Sequence, residues 1–174
     1  MSTQVCAEAG GDLAEVKRVA EKVIDNERSM GMAVHACTVP AAGKPSFDLA
    51  EDEVEIGIGI HGEPGVSREK ISPVNDVVDK LLTKILAEDI YHTGDEVAVM
   101  VNGMGGTPLM ELFIANKHLS ATLAEQGLKV HKTMVGNYMT SLEMAGLSIT
   151  LLKLDDELKQ LLDAPCDTPA LVQA

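Results

Sequence analysis

The sequence predicts an α/β domain of two layers: a mixed sheet of five or six strands, with helices mainly on one face. Three observations carry this. Segments with strand periodicity alternate with segments of helical periodicity, the pattern of an α/β sheet. About five strands are served by three substantial helices, too few to cover both faces. The segment Glu53–His61 (EVEIGIGIH) has one apolar face and one that carries no bulky apolar side chain.

In chain order, residues 1–11 read as a loose leading segment, and residues 12–174 as a single domain. Asp12 is an N-cap with Glu15 three residues on, a variant of the capping box. Leu13, Val16, Val19, Ala20, Val23 and Ile24 follow at helical spacing, and this helix should end near Ser29. Met30–Cys37 reads as a strand closed by Pro40. In Glu53–His61, Val54, Ile56, Ile58 and Ile60 share the core face. Glu53, Glu55, Gly57, Gly59 and His61 share a face suited to water, a ligand or another backbone. Ser72-Pro73 reads as a helix start, with Ser72 as N-cap. Val74, Val77, Val78, Leu81, Leu82, Ile85 and Leu86 form its stripe. Glu96–Val101 is a short apolar strand, and Asn102–Gly106 a glycine-rich turn. Thr107-Pro108 starts a helix with Leu109, Leu112, Phe113, Leu119 and Leu123 on one side. Leu128–Tyr138 and Gly146–Leu154 are strands, Asp155–Leu162 a short helix, and the tail is irregular.

Composition removes several function classes. Apolar residues are 45% of the 174, enough for a packed core, but aromatics are 2%. A net charge of −13 repels phosphate backbones, and so few aromatics offer little for base stacking, so nucleic-acid binding is excluded. No apolar run approaches the ~20 residues that span a bilayer. Residues 1–15 have neither a basic nor an apolar region of a secretory signal. Cys6, Cys37 and Cys166 form no CxxC and no metal spacing with the five histidines, and read as reduced thiols of a cytoplasmic protein. No metal or cofactor is expected on the chain.

Two stretches are candidates for chemistry. The first is His61–Gly65 (HGEPG), a histidine at a strand end followed by a stiff turn. A neutral imidazole is a modest nucleophile, and its ordinary pKa of about 6.5 leaves it mostly neutral at pH 7. Gly62 permits close approach of a ligand. Glu63 would orient the ring or stand as a solvated turn residue. A histidine at a strand end is also a common structural residue, and both readings stand on chemistry alone. The second is Asn102–Pro108 (NGMGGTP). A glycine-rich turn into a helix is a natural anion site, but it has neither the Gly-Lys-Ser/Thr of a P-loop nor GxGxxG, and a sharp βα turn explains it equally well. His35, His92, His118 and His131 fall in no paired motif. His118 has no carboxylate at ligand spacing. Asp155, Asp156 and Glu157 read as acids at a helix N-terminus.

Four blocks, in order, resemble the substrate-binding subunit of dihydroxyacetone kinase: CTVPAAGKPSF (37–47), EVEIGIGIHGEPG (53–65), VNGMGGTPL (101–109) and GNYMTSLEMAGLSITLLKLDDEL (136–158). GIHGEPG with AAGKPSF upstream looks more like the phosphoenolpyruvate-dependent bacterial type than the single-chain ATP-dependent enzyme. The resemblance covers the chain from about Asp12 and implies the C-terminal domain of that subunit. It implies that His61 adds to the ketone carbon of dihydroxyacetone to give a hemiaminal, with Gly62 and Glu63 beside the substrate. It further implies a homodimer and phosphorylation by a partner subunit that carries ADP and magnesium. The motifs of the family's N-terminal domain, which complete the pocket and activate the hydroxyl, have no match here, so the chain alone should be inactive. Two alternatives remain: a regulatory relative that captures dihydroxyacetone without phosphorylating it, and a structural or dimerisation domain with an inert His61.

Overall fold

The computed structural model describes residues 2–60, 64–169 and 171–173. These form a mixed six-stranded sheet with helices packed on it and a small hairpin in the tail. The elements in order are α1 (Ser2–Glu8), α2 (Leu13–Asn26), β1 (Glu27–His35), β2 (Glu53–Ile56), β3 (Ser67–Lys70), α3 (Val74–Leu86), β4 (Glu96–Gly103), α4 (Leu109–Glu125), β5 (Lys129–Gly136), β6 (Ala145–Leu154), α5 (Asp156–Asp163), β7 (Cys166–Asp167) and β8 (Val172–Gln173).

The sheet order is β3-β2-β1-β6-β4-β5. β6 lies at the centre, antiparallel to both β1 and β4. The parallel pair β4–β5 is joined across α4. One face carries the main core: Val54, Ile56, Val99, Val101, Ile149 and Leu151 of the strands meet Val78, Leu81, Leu82, Leu112, Leu119 and Leu123 of α3 and α4. The opposite face is met at one end by α2 and α5, where Val23, Leu158 and Leu162 pack on Ala98, Leu152 and Leu154. Beyond them a groove is lined by Met100, Met134, Met139 and the buried Thr150. The expected mixed α/β sheet is therefore observed, with its main core under α3 and α4 on one face and a smaller cluster under α2 and α5 on the other. α2 shows the same incompleteness: Val19 is buried, whereas Leu13 and Ile24 of its apolar stripe are exposed.

Local chemistry accounts for most boundaries and for the departures. Asp12 caps α2, accepting the Glu15 N–H at 2.9 Å. Asp155 caps α5 in the same way through Leu158 N–H. Ser72 does not cap α3. Pro73 occupies the N-cap position without a side-chain bond, and the Ser72 hydroxyl is buried with no partner among the described residues. In α4 the buried positions are Leu112, Ala115, Leu119 and Leu123, while Leu109 and Phe113, expected on the same side, are about half exposed. The leading segment, expected loose, carries α1, which packs on α2 and α5 and buries Cys6. β3 has the sequence SREK. Its charges suit an edge strand, where they block pairing with other chains, and they hide it from hydrophobic periodicity.

A charged cluster ties α2 to α5. Arg18 bonds both Glu15 and Glu157, and Lys22 pairs with Asp155 and Glu157. The guanidinium of Arg18 and the ammonium of Lys22 hold the Glu157 carboxyl down at about 2, from an ordinary 4.5. A depressed carboxyl stabilises the fold above its unfolded pKa, and that contribution is lost as pH falls through the folded value. Glu157→Gln should therefore lower the stability at pH 7. The difference from the parent should shrink between about pH 4.5 and pH 2, followed by urea denaturation at stepped pH. A difference that does not change across this range would show that the cluster contributes nothing.

Candidate functional site

β2 ends where the sequence pattern would have it continue. At Gly57 the backbone takes φ +84°, a conformation that side chains disfavour, and a Cβ there would lie 2.9 Å from Val66 Cγ2. Its N–H donates to Gly31 O at 2.6 Å. The turn carries the chain off the edge of its own strand. Ile58 then leaves the main core and packs with Ala33, Cys37, Met104 and Met144 in a separate cluster, with Phe47 at its margin. The expected strand 53–61 is thus four residues long, and Ile58 belongs to a different apolar cluster from Val54 and Ile56.

The return limb is held as firmly. Val66 N–H donates to Ile56 O at 2.7 Å. Gly65 N–H donates to Glu55 Oε1 at 3.0 Å, and Glu55 Oε2 accepts from Arg68 Nε at 2.7 Å. Alternation puts Glu55 on the solvent or ligand face; in the fold it is 7% exposed. Its signals in the sequence are an acid two residues before a glycine and an arginine on the following strand, which becomes its cross-strand neighbour. His61, Gly62 and Glu63, the predicted site residues, lie outside the described residues. What is described is the pair of limbs, 57–60 and 64–66, from which they are carried.

The glycine-rich turn Asn102–Pro108 approaches from β4. Asn102 is 2% exposed, and its side chain is fully engaged. Oδ1 accepts the N–H groups of Tyr138 and Met139 at 2.9 Å each, and Nδ2 donates to Met139 O and Ser148 Oγ. The backbone N–H groups of Met104 and Gly106 donate to Gly146 O and Met144 O. Thr107 Oγ1 donates to Gly146 O at 2.7 Å and accepts from Gly146 N–H at 2.9 Å. These bonds are made within the fold and give the turn a structural role between β4, α4 and β6. Its link to the first candidate is Met104. A Cβ at Gly31 would meet both Met104 Cε at 2.8 Å and Ile58 O at 2.9 Å, so loop and turn pack over the same point of β1.

The remaining candidates stand apart. His118 Nε2 lies 2.7 Å from Asp79 Oδ1 and joins α4 to α3; the carboxylate that spacing does not reveal comes from another element. His131 Nε2 lies 2.7 Å from Asp163 Oδ2 and holds that carboxyl below its usual range. The cysteines are free, with Cys37 Sγ 3.4 Å from Ser141 Oγ. Among the described residues no group of three His, Cys, Asp or Glu side chains is placed to hold a metal ion, and no helix is long and apolar enough to cross a membrane.

Residues 3–170 match the Dak1 domain. The chain belongs to this family. It is 51% identical over 165 residues to the dihydroxyacetone-binding subunit of PTS-dependent dihydroxyacetone kinase 1 of Listeria innocua, covering 94% of this chain and 50% of the relative. It is 48% identical over 163 residues to the corresponding subunit of kinase 2 of that organism, covering 94% and 49%. Among solved structures, a dihydroxyacetone kinase operon co-activator aligns at a TM-score of 0.85 with 36% identity, over 92% of this chain and 50% of that one. The chain spans about half the length of these relatives.

The central role of Asn102 is testable. Asn102→Ala strands two N–H groups and one carbonyl. It should cost about 1–3 kcal/mol by denaturant unfolding and speed amide exchange at Tyr138 and Met139. Unchanged exchange at those two amides would refute the assignment.

Proposed function

We propose that the chain is the substrate-anchoring half of a dihydroxyacetone-binding kinase subunit, with His61 as the covalent anchor. The observation that carries this is the 51% identity, along nearly the whole chain, to a subunit named for binding dihydroxyacetone. The two-sided anchoring of the 57–65 loop supports it, because a covalent anchor needs a fixed approach. In this reading the unprotonated nitrogen of the neutral imidazole attacks the ketone carbon. The C=O π pair moves to oxygen, which gains a proton, and the other ring nitrogen gives up its own. A C–N bond forms and no water leaves. Glycerol and other plain polyols have no carbonyl and cannot react. The hydroxymethyl group left free then takes a phosphoryl group from a donor held on a partner subunit that carries ADP and magnesium, and that partner is recharged through a phosphohistidine relay. The chain works in the cytoplasm as part of a homodimer.

A second reading has a specific observation behind it. The operon co-activator shares the fold at a TM-score of 0.85, and a co-activator of this kind would use the captured ketone as a signal rather than a substrate. Both readings need the adduct; a purely structural domain does not.

Native mass spectrometry of the chain with dihydroxyacetone should show a mass gain of one whole ketone, absent with glycerol and absent in His61→Ala. An adduct that survives the substitution, or none at any concentration, would overturn the role of His61.

The chain alone should transfer no phosphoryl group to dihydroxyacetone, with ATP or with the ADP-bearing partner. Phosphoryl transfer rests on positioning and charge stabilisation, and no P-loop is present in the sequence. Turnover in a coupled assay of the purified 174-residue chain would show that the catalytic machinery lies here after all. Turnover that appears when the other half of a relative's subunit is added would favour the kinase reading over the regulatory one.

A further inference from the structure

Glu55 is the most buried acidic side chain among the described residues, at 7% exposure. A buried carboxylate is costly unless it is paired and hydrogen-bonded. Here each oxygen has its own donor: the Gly65 N–H on Oε1 and the Arg68 guanidinium on Oε2. Strand alternation turns Glu55 away from the main core that holds Val54 and Ile56, toward the face over which Ile58 leaves β2. The return limb lies against it: a Cβ at Gly65 would stand 2.7 Å from Glu55 Cγ. Gly57 fixes the outgoing limb through the backbone of β1, and Glu55 is the side chain that fixes the returning one.

We infer that Glu55 is a positioning residue, which clamps the return limb of the 57–65 loop and through it sets the approach of His61 to a ketone. The inference rests on the reading of His61 as the anchor. Glu55 touches the loop through the backbone N–H of Gly65. Its part is to hold a nucleophile whose addition equilibrium depends on placement. The competing structural role is a plain cross-strand pair, since Glu55 and Arg68 stand opposite each other in the β2–β3 register. A plain pair would support the stability of the sheet edge and leave the adduct equilibrium alone.

The two roles separate in four variants of the full chain: Glu55→Gln, Glu55→Ala, Glu55→Gln with Arg68→Met, and Glu55→Ala with Arg68→Met. The amide introduced by Glu55→Gln has one acceptor oxygen, for which Gly65 N–H and Arg68 compete. Removing the guanidinium returns that oxygen to Gly65. Titration with dihydroxyacetone by native mass spectrometry should show about tenfold weaker adduct formation in Glu55→Gln, the size expected for one charge-assisted hydrogen bond. Recovery is expected in Glu55→Gln with Arg68→Met, and none in Glu55→Ala with Arg68→Met. Gly65 amide exchange should follow the same order, while Tm should fall in every variant that breaks the cross-strand pair, the recovering double variant included. Parent-like affinity in Glu55→Gln, or no recovery in its double variant, would overturn the inference. If the parent forms no adduct, the proposed function fails. The clamp is then decided by Gly65 exchange alone: fast in Glu55→Ala but slow in the parent upholds it, and equal rates in both overturn it.

Discussion

At Gly57 the backbone turns through φ +84° and gives its N–H to Gly31. That bond ends β2 after four residues and sends the chain across the less covered face of the sheet. A residue with a Cβ would meet Val66 there and favour continuing the strand. If β2 continued, Ile58 would stay with the main core. The course of the outgoing limb, 57–60, follows from this turn.

The sheet supplies the rigid base the turn needs. β1 lies between β2 and the central β6, and its register with β6 runs from Glu27 to His35. Gly31, which receives the Gly57 bond, is in the middle of that pairing. Met104 reaches the same point from the end of β4, and Met104, Met144 and Ile58 close over Ala33 and Cys37. The glycine-rich turn thus supports the loop. The two stretches that look like separate chemical motifs serve one construction: one carries His61 and the other braces its outgoing limb.

Much of this is legible in the sequence, and the failures share a cause. Helical stripes, the cap at Asp12, the acids that open α5 and the mixed α/β sheet follow from periodicity and local side-chain chemistry, which act over a few residues. Strict alternation in EVEIGIGIH places Val54 and Ile56 correctly but gives no sign that Gly57 takes a positive φ, because glycine allows both signs. The same alternation assigns Glu55 to an open face, because it reports a side and not what later covers it. Gly65 and Arg68 cover it. His118 and His131 find carboxylates in Asp79 and Asp163, 39 and 32 residues away in sequence, where no spacing rule reaches. β3 escapes because the charges that protect an edge strand also erase its hydrophobic signal. His61 itself is singled out by its motif and its family resemblance, and belongs to residues that the structure does not describe.

The central claim is a carbon–nitrogen bond between His61 and the ketone carbon, and NMR can observe it directly. Dihydroxyacetone labelled with 13C at the carbonyl would be added to the chain carrying 15N-labelled histidine. The account predicts a new tetrahedral carbon signal, split by one-bond coupling to a ring nitrogen, and its loss in His61→Ala. Signals of the free ketone and its hydrate alone, or a coupled signal that persists without His61, would contradict it.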